Sequence, residues 1–133
     1  MAIVEEHGYP LAVHIASASP GEATLVEATI EARIVDKLPN RLIGDKAYDS
    51  DGLDKKLSAE HGIEMIAPNR RKRRKTQDGR QLRRYKRRWK VERFFSWLQS
   101  YRHITVRYDY YPENYFSMIQ LACSMMFLSL ILR

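Results

Sequence analysis

Two carboxylates stand where they could do metal chemistry. Asp45 closes Leu42-Ile43-Gly44-Asp45, a short apolar run that reads as a buried strand ending on an acid. In α/β sheets ligands gather beyond the carboxyl ends of the strands. Gly44 lets a metal or a phosphate approach the backbone closely. The competing reading is a strand-end turn in which Asp45 bonds only local amides. Glu92 is the second acid, in Tyr85-x2-Arg88-x3-Glu92. On a helix, Tyr85, Arg88, Glu92, Ser96 and Gln99 make a narrow polar stripe, opposite Val91, Phe94, Phe95, Leu98 and Tyr101. Its competing reading is an ordinary i,i+4 ion pair with Arg88, worth a few tenths of a kcal/mol.

Hard oxygen ligands on separate elements suit Mg²⁺ or Mn²⁺, held by few carboxylates together with a substrate phosphate. Two such ions, about 3.5–4 Å apart, activate a water or hydroxyl and stabilise the leaving oxygen in phosphoryl transfer. Two carboxylates are a small set for that work, and a third is expected. Other chemistries lack their residues. His7, His14, His61 and His103 show no ligand spacing, and no Cys/His cluster offers a zinc site. There is no nucleophile elbow and no Gly-rich phosphate loop.

The charge pattern supplies the phosphate. The formal net charge is +7 over 133 residues. Residues 70–93 hold 14 Lys or Arg against two acids, Asp78 and Glu92, so that window is +12 and the rest is −5. Tyr85 and Trp89 interleave with the bases. A solvated basic loop, a localisation signal and an RNA-binding tail all share this composition. Bases interleaved with aromatics favour contact with phosphates. A lone cysteine, Cys123, excludes an internal disulfide and suits a reducing, cytoplasmic setting. Residues 1–15 carry acids and no basic n-region, so no secretory signal opens the chain.

The elements that must position these residues follow from periodicity and punctuation. Residues 1–6 and 11–18 read as a hairpin about His7-Gly8-Tyr9-Pro10. Leu25, Val26, Ile30 and Ile34 predict a helix over 23–35. A strand over 41–44 leads to Asp45. Ser50 caps a helix over 52–61, which Gly62 stops. A strand over 63–67 precedes the basic segment, and helices follow over 82–100 and 112–132. The order β-β-α-β-α-β-α-α predicts an α/β fold. The last helix has 18 residues, 115–132, without a charge. That is borderline for a membrane span. Gln120 and several serines dilute it, which favours packing against protein.

These residues together resemble the C-terminal part of the catalytic domain of DDE-type insertion-sequence transposases. The resemblance rests on Gly44-Asp45-Lys46-Ala47-Tyr48-Asp49, on Ile66-Ala67-Pro68-Asn69-Arg70, and on Tyr85-x2-Arg88-Trp89-x-Val91-Glu92-Arg93-x3-Trp97-Leu98. It implies a ribonuclease-H-like fold and metal-dependent DNA cleavage and strand transfer at transposon ends. By motif, Asp45 resembles the second catalytic Asp and Glu92 the catalytic Glu, both binding Mg²⁺ or Mn²⁺. Tyr85 and Arg88 resemble helix residues near the scissile phosphate. Arg70, Arg71, Lys72, Arg73, Arg74 and Lys90 are the further expected DNA contacts. Two departures stand out. Gln99 occupies a position where the family pattern often has Lys, with Arg102 nearby. The strand bearing the first catalytic Asp, central in that fold, is absent, and neither Glu5 nor Glu6 has the context to replace it.

The resemblance therefore implies one partial catalytic domain over 1–133, N-terminally incomplete, with a DNA-contact segment at 70–93 and an apolar helix at 112–132. Such a chain is inactive alone. It is completed by a polypeptide from an upstream reading frame that brings the strand and its Asp, and it is oligomeric when active. The expected setting is the bacterial cytoplasm, at the nucleoid. A non-catalytic DNA-binding product, as a relic or a regulator of transposition, is the alternative.

Overall fold

The computed structural model describes residues 1–70 and 88–132. Within them, β1 (Ala2–Val4) and β2 (Pro10–Val13) form the hairpin. The second strand stops at Val13, five residues before the expected end at residue 18. Helix α1 (Val26–Glu31) is entered through a 3₁₀ turn over Glu22–Leu25 and also ends early. The reason is long-range. Ala12 and Arg33 form an antiparallel bridge, and the Ile34 amide donates to the Leu11 carbonyl at 2.7 Å. Backbone groups that the sequence assigns to a helix are spent on β2 instead.

Strand β3 (Arg41–Ile43) pairs in parallel with β4 (Glu64–Ile66), and helix α2 (Asp51–His61) crosses between them. The Ser50 hydroxyl caps α2 by accepting from the Leu53 amide, and Gly62 ends it in the left-handed region at φ 64°. Helix α3 (Trp89–Leu98) follows the basic segment, a single turn α4 (Arg102–Thr105) comes next, and α5 (Pro112–Ile131) closes the chain. The short α4 is not apparent from the sequence.

Alternation along β1 builds two cores. Ala2 and Val4 face a cluster of Val13, Phe94, Leu98, Ile119, Ala122 and Cys123, formed by β2, α3 and α5. Met1 and Ile3 face the opposite cluster of Val26, Ile30, Leu57 and Ile63, which Leu42 and Met65 of β3 and β4 also join. Helices therefore cover both sides of the strand layer, as an α/β fold requires.

The strands form two separate two-stranded sheets, β1-β2 and β3-β4. Among the described residues no strand pairs with the outer edge of β1 or of β3. Met1 and His14 exchange both of their backbone bonds, so the next residue, Ala2, turns its amide and carbonyl away from β2. The Asn40 carbonyl and the Gly44 amide bond to β4, so Arg41 and Ile43 turn theirs away from it.

Helix α5 is long and apolar enough to cross a membrane, with a mean hydropathy of 1.4. It packs on the first core through Ile119, Ala122 and Cys123. The expectation of a helix buried against protein holds on that face only. Met118, Leu121, Met125, Leu128 and Leu132 follow one another at steps of 3, 4, 3 and 4 residues. This second apolar stripe lies roughly 130° around the helix from the first. Leu121, Met125, Leu128 and Leu132 are each about half exposed or more.

Candidate active site

A cleft of about 850 Å³ runs between the two sheets. All of β1 and all of β3 line it, and so do both Asp45 and Glu92. Arg88, Lys90 and Phe95 close its α3 side. Two acids separated by 47 positions in the sequence thus border one space.

Each carboxylate is also engaged locally. Asp45 Oδ1 accepts from the Ala47 amide at 2.7 Å and so caps the 3₁₀ turn over Lys46–Tyr48. Glu92 Oε1 lies 3.1 Å from Arg88 Nη2, in an i,i+4 pair with both side chains about half exposed. Both competing readings drawn from the sequence are therefore present, and both leave one carboxylate oxygen of each acid uncommitted by these bonds. Among the described residues no three His, Cys, Asp or Glu side chains gather closely enough to hold a metal ion. Two hard-oxygen donors match the ligand type of Mg²⁺ and fall short of the number.

Tyr48 is the residue that sequence reasoning overlooked. Its ring and the Met65 methyl group occupy the space over Gly44, where a Cβ would meet Met65 Cε at 2.5 Å and Tyr48 Cδ2 at 2.6 Å. The missing side chain admits a phenol ring, in place of the close metal or phosphate approach that the glycine suggested. Burial, then the Glu22 and Asp45 carboxylates, push the Tyr48 hydroxyl up to about 12. The phenol stays neutral at every physiological pH. Gly44→Ala should displace Tyr48 and loosen the Asp45 turn, because the ring carbon Cγ at 2.9 Å cannot swing clear as a chain end can. The expected cost is about 1–3 kcal/mol, the range for overpacking. A urea melt of the variant reads it, and an unchanged midpoint would refute this account of Gly44.

The described ends of the basic segment are anchored to the protein. The Arg70 guanidinium donates to the Lys46 carbonyl at 3.1 Å and to the Ala47 carbonyl at 2.8 Å, while its amide donates to Asp49 Oδ2 at 2.7 Å. Arg70 thus straps down the turn that carries Asp45. Lys90 donates to the Glu6 carbonyl and Arg93 to the His7 carbonyl, which fasten α3 to the hairpin turn. Arg88 pairs with Glu92 as above. Arg71, Lys72, Arg73, Arg74 and Tyr85 lie outside the described residues. Gln99 is the exposed C-cap of α3. Its carbonyl accepts from the Thr105 hydroxyl at 2.6 Å. The lone Cys123 is buried, and burial pushes its thiol up to about 11, so it is no nucleophile.

No curated protein and no solved structure matches the chain. A family model does: the transposase DDE domain matches residues 1–127, from β1 to the last turns of α5. Domains of that family have a ribonuclease-H-like fold, generally use divalent metal ions, and have DNA as their partner. Alternating strands and helices, an acid at the end of β3 and a second on α3 facing the same cleft agree with that match, and the chain belongs to the transposase DDE domain family.

Proposed function

We propose that this chain is the C-terminal part of a transposase catalytic domain, acting in metal-dependent DNA cleavage and strand transfer at transposon ends. Asp45 and Glu92 hold Mg²⁺ or Mn²⁺. The observation that carries the reading is the cleft, which is bordered by both acids and by the open edges of β1 and β3. One further strand laid between those edges joins the two sheets into one of five strands. Its ladder groups meet those of Ala2 on one side and of Arg41 and Ile43 on the other. A carboxylate at its end supplies the ligand that the pair lacks. Without that strand and its carboxylate, the pair of acids supports little or no activity. When bound, the metal polarises the phosphoryl oxygen and activates the attacking water or hydroxyl.

Contact with DNA falls to residues 70–93. Arg70, Arg88 and Lys90 spend donors internally, so Arg71, Lys72, Arg73, Arg74 and Tyr85 carry most of it. The active form is an oligomer in the bacterial cytoplasm, at the nucleoid. Filter binding of a DNA duplex across a salt series tests this part. With six or more phosphates neutralised, affinity should fall about 10³-fold or more between roughly 50 and 200 mM salt. A flat salt response would remove the basis for assigning the segment to phosphate.

A second reading has its own support. The cap at Asp45 and the Arg88–Glu92 pair are structural roles sufficient in themselves, as in a non-catalytic DNA-binding product or regulator. Calorimetry with Mn²⁺ separates the two readings. Heat of binding that Asp45→Asn and Glu92→Gln each remove favours the catalytic one, and binding indifferent to both favours the other.

A further inference from the structure

Between α4 and α5 the chain holds aromatic rings out to water. Tyr110 is 87% exposed, Tyr108 63% and Tyr111 62%, within four residues. Contiguous apolar surface of this kind marks an interaction site more often than a solvated loop. The loop is also held in shape from inside. Arg107 donates to the Asp109 carbonyl at 3.0 Å and to the Tyr110 carbonyl at 3.2 Å. Its guanidinium carbon lies 5.7 Å from the centre of the Tyr115 ring. The Tyr115 hydroxyl in turn donates to the Ile104 carbonyl at 2.9 Å, which ties the loop to both flanking helices.

The rings meet their neighbours edge-on. Tyr110 and Tyr111 lie 5.2 Å apart at 88°, and Tyr108 lies 6.0 Å from His103 at 72°. Edge-on contact covers one face of one ring in each pair and leaves the other ring faces uncovered by the partner. Cations stand among them: Arg102 is exposed on α4, and Arg107 lies within the loop. Open aromatic faces with interleaved cations are what a nucleobase on an anionic backbone requires. Bases within a duplex already stack on both sides, so a platform of this kind selects unpaired ones.

We propose that Tyr108, Tyr110 and Tyr111 form a stacking platform for unpaired bases of a DNA strand, a contact distinct from the phosphate-attracting segment 70–93. This inference rests on the DNA-acting reading above and adds what the DNA presents to the protein, an opened end or a melted flank. The platform adds affinity without neutralising phosphates.

Fluorescence anisotropy of the full chain tests it with two probes: a blunt duplex, and the same duplex with a single-stranded tail of about ten nucleotides, within the length that such grooves cover. The Tyr110→Ala/Tyr111→Ala variant should bind the tailed probe about 5-fold or more weaker, since each stacked base is worth a factor of about 5 to 150. Its affinity for the blunt duplex should stay within about 2-fold. The slope of affinity against salt should not change, because no phosphate contact is lost. Tyr110→Phe/Tyr111→Phe should keep the tail's contribution. Equal binding of the tailed probe by the Ala variant and the unsubstituted chain would overturn the platform while leaving the DNA-acting reading intact. So would an equal loss on both probes. An unsubstituted chain that binds neither probe overturns both.

Discussion

Asp45→Asn and Glu92→Gln are each expected to slow metal-dependent nicking of a transposon-end duplex by about 10³-fold or more, in a preparation that joins this chain to a polypeptide carrying the third carboxylate. The size follows from the energy at stake. A metal supplies several kcal/mol of charge stabilisation in the transition state, and about 4 kcal/mol is a factor of roughly 10³ in rate. The choice of amides matters. Asp45 caps the Lys46–Tyr48 turn through the Ala47 amide, and Asn keeps an oxygen there for the same bond. Asp45→Ala would confuse loss of charge with loss of the cap. Glu92→Gln gives up only an exposed pair with Arg88, worth a few tenths of a kcal/mol. Both variants should therefore melt within about 1 kcal/mol of the unsubstituted protein. Nicking within tenfold of the original rate in either variant would remove that acid from the metal site.

Phe94→Ala should be the most damaging substitution outside the cleft. Phe94 is 1% exposed, at the centre of the cluster that joins β2, α3 and α5. Removing a buried phenyl ring costs about 3–5 kcal/mol, against the 5–15 kcal/mol or so that holds a whole domain together. A pair of two-stranded sheets with open edges places this chain near the lower bound of that range. The urea midpoint should fall by about 1 M or more, or the cooperative transition should vanish. Its neighbour provides the control. Phe95 is 41% exposed at the cleft wall, and Phe95→Ala should cost less than half as much. Equal losses for the two would mean that α3 is not seated on the first core as described.

Several parts of this arrangement are legible in the sequence because they are local. Ser50 and Gly62 mark the two ends of α2, and both act as caps. Pro112 opens α5 at its first turn. The apolar run before Asp45 becomes a strand that ends two residues before it. Helical spacing about Glu92 places Phe94 and Leu98 in the core, with Glu92 outside it.

What the sequence hides depends on distant partners. The early end of α1 comes from the Ala12–Arg33 bridge, which joins residues that no periodicity links. Arg70 reads as one more base in a polycation, yet it bonds three residues some two dozen positions earlier. Tyr48 reads as part of a motif, and only tertiary packing shows it filling the space over Gly44. A helix with no charge beyond its first turn likewise cannot announce which of its faces will be covered. The tyrosines of the α4–α5 loop carry no periodic signal at all, and only their exposure and mutual geometry in the fold single them out.

The water-facing stripe on α5 makes ionic strength act on this protein twice. Raising salt screens its attraction to a polyanion. The same salt, if it is sulfate or phosphate, drives the bare leucines and methionines of neighbouring molecules together. Solubility and cargo binding therefore decline in concert, and dilute buffer is the one regime that favours both. On the DNA-acting reading proposed above, a bound polyanion would keep such a molecule dispersed, so that its ligand would also serve as its solubiliser.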